Sequence, residues 1–298
     1  MEAYSPLRVR FVNPGEKIGA FQVLGTLGKG AHSTILHIRR NADSKQYALK
    51  VVPLESPEDQ KFLEQARHEF RVAGMFDHPN LLKVYALEEQ KNWLFKVTKA
   101  HLLLEFVNGK TLDEIPMLPI AAWVQIFHKI AAAMAHMHRR KVLHADMKPG
   151  NVMFSRTGQV KVIDFGLAWI KDEPKDRVQG TPEYMAPETA RKKVVNERTD
   201  IFNFGATMYR LTTFRLPPPT GQDESGMALE AGLWTARLEP VSKYNKDAPP
   251  ALCDIIHRCL AYKPADRPEH MRDVAAELES IVGQFVNSSA DKLEALEW

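Results

Sequence analysis

The segment VLHADMKPGNVMF, residues 142–154, holds a carboxylate, an ammonium and an amide within six residues: Asp146, Lys148 and Asn151. A second carboxylate follows at Asp164, inside VIDFG. Between Asn151 and Asp164 the residues read strand, turn, strand, with SRTG as the turn midway between them. In an antiparallel hairpin, residues symmetric about the turn lie opposite each other, so Asn151 is expected to face Asp164. A carboxylate and an amide oxygen at one spot suit Mg²⁺, which takes hard oxygen ligands and keeps several waters. Asp146 then stands off the metal, free to accept or orient a hydroxyl proton.

A second cluster lies upstream. LGKGAHST, residues 27–34, places Gly28 and Gly30 between two strand-like stretches. Backbone N–H groups in such a turn can approach phosphate oxygens closely, although a plain tight hairpin reads the same way. Lys50 follows in YALK. Farther on, Phe62, Ala66, Glu69 and Ala73 recur at steps of four, three and four, which sets them on one helical face. A carboxylate in that apolar stripe needs a partner, and Lys50, on the strand the helix should pack against, is the candidate.

These residues must be positioned by recognisable elements. FQVLGTLG (21–28), STILHIRR (33–40) and KQYALKVVP (45–53) read as strands. Ser56, Pro57 and Asp59 start a helix that runs to about Met75. PIAAWVQIFHKIAAAMAHMH (119–138) is amphipathic, with Ile120, Trp123, Phe127, Ile130 and Met134 on one face. Further helices are expected near 183–193, 200–213, 225–236, 249–261 and 268–285. Strands followed by helices predict an α+β fold in two lobes, with a hinge near LLLEFVNGKTL (102–112).

The 298 residues are 44% hydrophobic and 26% charged, an ordinary globular balance that needs no staple. A net charge of +3 argues against a nucleic-acid partner. The two cysteines, Cys253 and Cys259, read as reduced packing residues in the cytoplasm. No apolar run reaches membrane-spanning length, and the N-terminus does not look like a signal peptide.

With these pieces assembled, the chain resembles the eukaryotic-type protein kinase catalytic domain, nearer the serine/threonine than the tyrosine group. The matching motifs occur in family order: the glycine loop, YALK, Glu69, LLLEFVNG, HADMKPGN, DFG (164–166), GTPEYMAPE (180–188), DIFNFG (200–205) and PADRP (264–268). The resemblance implies a two-lobed kinase domain over 21–285. Its N-lobe, about 21–104, is an antiparallel β lobe with one main helix, and its C-lobe, about 109–285, is mainly helical. An extension (1–20) and a tail (286–298) flank it.

The resemblance further implies transfer of the γ-phosphate of ATP, with Mg²⁺, to Ser or Thr hydroxyls of protein substrates. Lys50 would hold the α- and β-phosphates and pair with Glu69. Asp164 and Asn151 would bind the metal, Asp146 would act as base, and Lys148 would steady the γ-phosphate. Leu27, Gly28, Lys29, Gly30, Ala31, His32, Ser33 and Thr34 would cover the nucleotide. Ile35, Ala48 and Met153 would sandwich the adenine, Leu104 would sit beside it, and Glu105 and Val107 would offer it backbone hydrogen bonds. Thr181 would lie near Asp146 and Lys148, and Glu188 and Arg267 would form a buried structural pair.

The sequence also departs from the family pattern. Ser33 replaces the third loop glycine, and His32 stands where an aromatic is usual, as a solvated loop tip. Ala145 replaces the arginine that in many relatives binds a phosphate on the activation loop. That loop, LAWIKDEPKDRVQG, contains no Ser, Thr or Tyr. Receptor and acceptor are both missing, so activity is expected without loop phosphorylation. Charge pairs among Lys171, Asp172, Glu173, Lys175, Asp176 and Arg177 are expected to hold the loop instead. A pseudokinase scaffold is the alternative, but it would usually have lost Lys50, Asp146 or Asp164. A small-molecule phosphotransferase would lack GTPEYMAPE.

Overall fold

The computed structural model describes residues 14–30, 32–174, 179–220 and 230–288. The chain forms two compact units. One comprises Met1–Phe70 and Lys83–Phe106, the other Arg71–Leu82 and Val107–Trp298.

The first unit is a six-stranded antiparallel sheet in the order β1-β2-β3-β4-β6-β5. Its strands are β1 (Lys17–Ile18), β2 (Phe21–Lys29), β3 (Thr34–Arg40), β4 (Gln46–Pro53), β5 (Val84–Lys91) and β6 (Val97–Glu105). Val23, Leu36, Ile38, Tyr47 and Leu49 form a buried cluster on it. Helix α1 (Gln60–Ala73) follows a 3₁₀ turn at Pro57–Asp59. Asp59 Oδ2 accepts the Ser56 N–H at 2.8 Å and so satisfies a donor that the helix start leaves open.

Residues 71–82 go with the second unit, whereas the sequence reading kept all of 21–104 together. Hydrogen bonds explain this: the Leu82 N–H donates to the Val162 carbonyl at 2.9 Å, and the Asn80 side-chain Nδ2 donates to that of Val160 at 2.9 Å.

The second unit is built on α2 (Ile120–Arg139) and α4 (Glu197–Thr213), with α3 (Pro187–Lys192), α5 (Ala231–Arg237), α6 (Val241–Tyr244), α7 (Pro250–Cys259) and α8 (Met271–Ser288). Trp123, Phe127, Ile130 and Met134 of α2 are buried, as their spacing predicts. Between α2 and α3 run β8 (Val142–Leu143), β9 (Val152–Ser155), β10 (Val160–Val162) and β11 (Trp169–Ile170); β7 (Gly109–Thr111) pairs with β9. On α4, a Cβ at Gly205 would fall 2.7 Å from the Cys259 Cβ, so only glycine allows α7 this close. Both cysteines are free thiols, and burial pushes that of Cys259 up to about 12. No helix among the described residues is long and apolar enough to cross a membrane.

Candidate active site

In the first unit, Lys50 sits on β4 between Ile35 of β3 and Leu102 of β6. Its Nζ lies 2.6 Å from Oε2 of Glu69, a buried residue of α1 beside Ala66 and Ala73. The carboxylate on the apolar face therefore has its cation, and the ammonium is fixed at the middle of the sheet. Leu27, Gly28 and Lys29 belong to β2, and Thr34 and Ile35 to β3. The turn closes with the Gly30 N–H donating to the Ser33 carbonyl at 2.8 Å. A Cβ on Gly28 would meet nothing within 4 Å, which leaves that backbone open to close approach. At Gly30 a Cβ would lie 2.9 Å from Ser33 Oγ, so the serine fills space beside this glycine. Ala31 lies outside the described residues. His32 is not merely a solvated tip: its ring stacks on Phe62 of α1, with centroids 3.7 Å apart. Ala48 is buried on β4, and Glu105 ends β6. Leu104 is also buried.

The second unit brings together Asp146, Lys148, Asn151 and Thr181. Asp146 is buried, and its Oδ1 accepts both the Thr181 N–H and the Thr181 hydroxyl at 2.8 Å. The Lys148 ammonium stands 3.2 Å from Asp146 Oδ2 and donates to Thr181 Oγ1 at 2.7 Å. Asn151 Nδ2 donates to the Asp146 carbonyl at 2.8 Å and to its Oδ2 at 3.2 Å. An amide whose nitrogen is committed in this way can offer a cation only its oxygen, the atom that Mg²⁺ prefers. The residues present therefore fit a hard divalent ion.

The hairpin differs from its sequence reading by one residue. Val152 pairs with Val162, and the Asn151 carbonyl accepts from the Ile163 N–H at 2.9 Å, so Asn151 faces Ile163. The loop has three residues, Arg156 to Gly158, with Gly158 at φ 76°; it is not a four-residue turn. Asp164 comes next, at φ 63°, and its Oδ1 accepts the Gly166 N–H at 3.2 Å. Phe165 is fully buried against Phe76, 5.6 Å between ring centroids, which pins the backbone beside Asp164. Met153 lies half-buried on β9, and Val107 is buried.

A residue not singled out from sequence underlies this loop. Asp200, in the first turn of α4, accepts the backbone N–H groups of His144 and Ala145 at 2.8 Å and is 2.8 Å from His138 Nε2. Burial opposes its charge, yet the bonds from His138 and the loop amides hold its carboxyl below the usual range. Its signal in the sequence was a carboxylate directly before the mainly apolar run IFNFG. These bonds hold Ala145 at φ 65°. The Ala145 methyl belongs to an apolar cluster with Leu143 and Val195, against which Trp169 packs.

The segment after DFG is held from outside itself. Glu173 receives both Arg71 guanidinium nitrogens, at 2.7 and 2.8 Å. Asp172 lies 3.4 Å from Lys141, and Lys171 lies 3.3 Å from Glu197. Lys171 and Asp172 thus pair outside the loop and not within it, and Glu173 also has an outside partner; Lys175, Asp176 and Arg177 lie outside the described residues. Trp169 Nε1 also donates to the Glu173 carbonyl at 2.9 Å. Glu188 and Arg267 form a bidentate buried pair at 2.7 and 2.9 Å.

Known proteins align with this arrangement. Serine/threonine-protein kinase PrkC of Bacillus subtilis is 27% identical over 276 residues, covering 89% of this chain and 41% of that protein. Serine/threonine-protein kinase pkn3 of Myxococcus xanthus is 28% identical over 279 residues, covering 88% of this chain and 50% of that protein. The probable serine/threonine-protein kinase PknB of Corynebacterium glutamicum is 27% identical over 289 residues, with 91% and 43% covered. The chain thus spans only 41–50% of the length of these relatives. The protein kinase domain family matches residues 21–278, and the chain belongs to that family.

Proposed function

We propose that this chain is an active serine/threonine protein kinase that uses ATP and Mg²⁺. The observation that carries the reading is the hydrogen-bonded set of Asp146, Lys148, Asn151 and Thr181. Bound Mg·ATP supplies the transferable phosphoryl group and part of its charge neutralisation. Lys50, held by Glu69, would hold the α- and β-phosphates with a fixed ammonium. Asn151 Oδ1 and the Asp164 carboxylate would hold the metal. Asp146 orients the acceptor hydroxyl and takes its proton, and Thr181 keeps that carboxylate from rotating. Lys148 places its ammonium beside the same carboxylate, where charge on the moving phosphoryl group is to be stabilised.

An acceptor peptide has room. An open groove of about 580 Å³ runs along Lys148, Thr181, Tyr184, Arg210 and Phe214. It reaches the residues bonded to Asp146, which favours a peptide over a small molecule. The two free thiols fit work in the reducing cytoplasm. We further propose that no phosphate on the activation loop is required, because apolar packing occupies the place of the phosphate-binding arginine. The test is incubation with labelled ATP, Mg²⁺ and a generic basic protein, comparing wild type with Asp164→Ala and identifying the modified residue. Label on Ser or Thr from wild type alone is expected. Dominant phosphotyrosine, or no label from wild type, overturns the assignment.

A further inference from the structure

The hairpin joining β5 to β6 exposes large apolar side chains at its tip. Trp93 is 85% exposed, Leu94 61% and Phe95 84%. The tip is a built turn. Asn92 Oδ1 accepts the N–H groups of Leu94 and Lys96 at 3.0 Å, and the Phe95 N–H reaches the Asn92 carbonyl at 2.9 Å. Phe95 sits at φ 60°, in the left-handed region that large side chains seldom adopt. Local bonding thus holds three apolar side chains outward, at the edge strand of the sheet.

Charge surrounds this tip on one side of neutrality. Lys91, Lys96 and Lys99 are all exposed, and no Asp or Glu occurs between Glu89 and Glu105. Glu89 is itself engaged by Arg67 at 2.6 and 2.8 Å.

We propose that this hairpin docks the kinase onto an anionic membrane surface. Trp93, Leu94 and Phe95 enter the boundary between headgroups and acyl chains, where aromatic side chains are favoured. The three lysines lie over anionic headgroups, each strengthening partitioning about fivefold. Size and charge decide for this occupant. A stable protein interface takes roughly 800 Å² and 20–30 residues from each partner. A three-residue tip is far smaller, but it suffices for shallow insertion. Exposed lysines round an apolar tip match a negative surface better than an apolar groove. The docking is peripheral and needs no spanning segment.

The full chain is sedimented with vesicles of phosphatidylcholine alone and of phosphatidylcholine with phosphatidylserine. Wild type should pellet with the anionic vesicles, weakly with the neutral ones, and less as salt screens the lysines. The Lys91→Gln, Lys96→Gln, Lys99→Gln variant should lose about 100-fold in partitioning, from fivefold per lysine. The Trp93→Ser, Leu94→Ser, Phe95→Ser variant should also stay in the supernatant, with melting temperature and kinase rate unchanged. In a second readout, brominated lipid should quench the fluorescence of wild type but not of Trp93→Phe. The proposal is overturned if wild type does not pellet with anionic vesicles, or if the tip variant pellets equally. It is also overturned if wild type is a dimer in light scattering that the tip substitutions make monomeric, since the tip would then bind a second copy.

Discussion

Removing every phosphate from this kinase should leave its rate within about tenfold of the untreated protein. The segment between DFG and Thr181 is tied by bonds that no phosphate contributes. β11 pairs with β8, the Lys171 N–H donates to the Lys141 carbonyl at 2.7 Å, and Trp169 Nε1 donates to the Glu173 carbonyl. Three ion pairs add to these, and their magnitudes can be bounded. Arg71 and Glu173 are 54% and 40% exposed, so even this bidentate pair is worth no more than about 1 kcal/mol. Lys141–Asp172, longer and exposed, and Lys171–Glu197, longer and partly exposed, add a few tenths each. Glu173→Gln should therefore slow turnover by about fivefold at most, since ~1.4 kcal/mol is a tenfold change. Raised salt should have a similar effect. Thr181 is a poor switch because its hydroxyl already donates to Asp146, and a phosphate there would face that carboxylate. The assay is phosphatase treatment, confirmation by mass spectrometry that no phosphate remains, then initial rates with peptide and Mg·ATP. A loss beyond about tenfold that rephosphorylation between 164 and 188 restores would refute the reasoning. Abolition of activity by Glu173→Gln would show that the ion pair carries far more than its exposure permits.

Other perturbations follow from the same geometry. Lys50→Met should still fold, with a lowered melting temperature because the buried Glu69 carboxylate loses its cation, yet fail to transfer phosphate; a wild-type rate would remove Lys50 as the phosphate anchor. Asp146→Ala should lower kcat by about 10²–10⁴, the usual contribution of a general base, while Asp164→Ala should leave no measurable turnover. Arg267→Ala should cost about 3–5 kcal/mol in denaturant titration, because the guanidinium gives all five N–H groups to Glu188, Arg198, Ala261 and Tyr262 and its loss strands a buried carboxylate. Arg267→Lys should not rescue it, since an ammonium lacks the planar fork. His136 is buried, and burial lowers its pKa from 6.5 to about 4. The unfolded chain binds this proton first as pH falls, so stability should drop between pH 6.5 and about 4, and His136→Phe should flatten that slope in urea melts at stepped pH.

The residues proposed for the chemistry were legible in the sequence because local spacing places them. Helical periodicity put Glu69 on the apolar face of α1, and YALK placed Lys50 on a strand the helix was expected to pack against. The segment 142–154 likewise packs Asp146, Lys148 and Asn151 into one short loop, so their proximity needed no tertiary information. Register was harder. SRTG reads as a four-residue turn, but Gly158 adopts a positive φ inside a three-residue loop, and Asn151 consequently faces Ile163. Such a shift depends on backbone conformation that several turn types share in sequence.

Other features belong to the tertiary structure alone. Lys171, Asp172 and Glu173 looked like members of a self-pairing charged loop, but Glu173 finds Arg71 across 102 positions of chain. His32 finds Phe62, and Asp200 collects two loop amides and a histidine. Alternating apolar and charged letters cannot say which neighbour is nearest once the chain folds back. The run Trp93, Leu94, Phe95 makes the same point, since three apolar residues in a row do not by themselves say whether they are covered. Only the position of the β5–β6 turn decides that they face out, because burial is set by what packs over a residue and not by its own hydrophobicity.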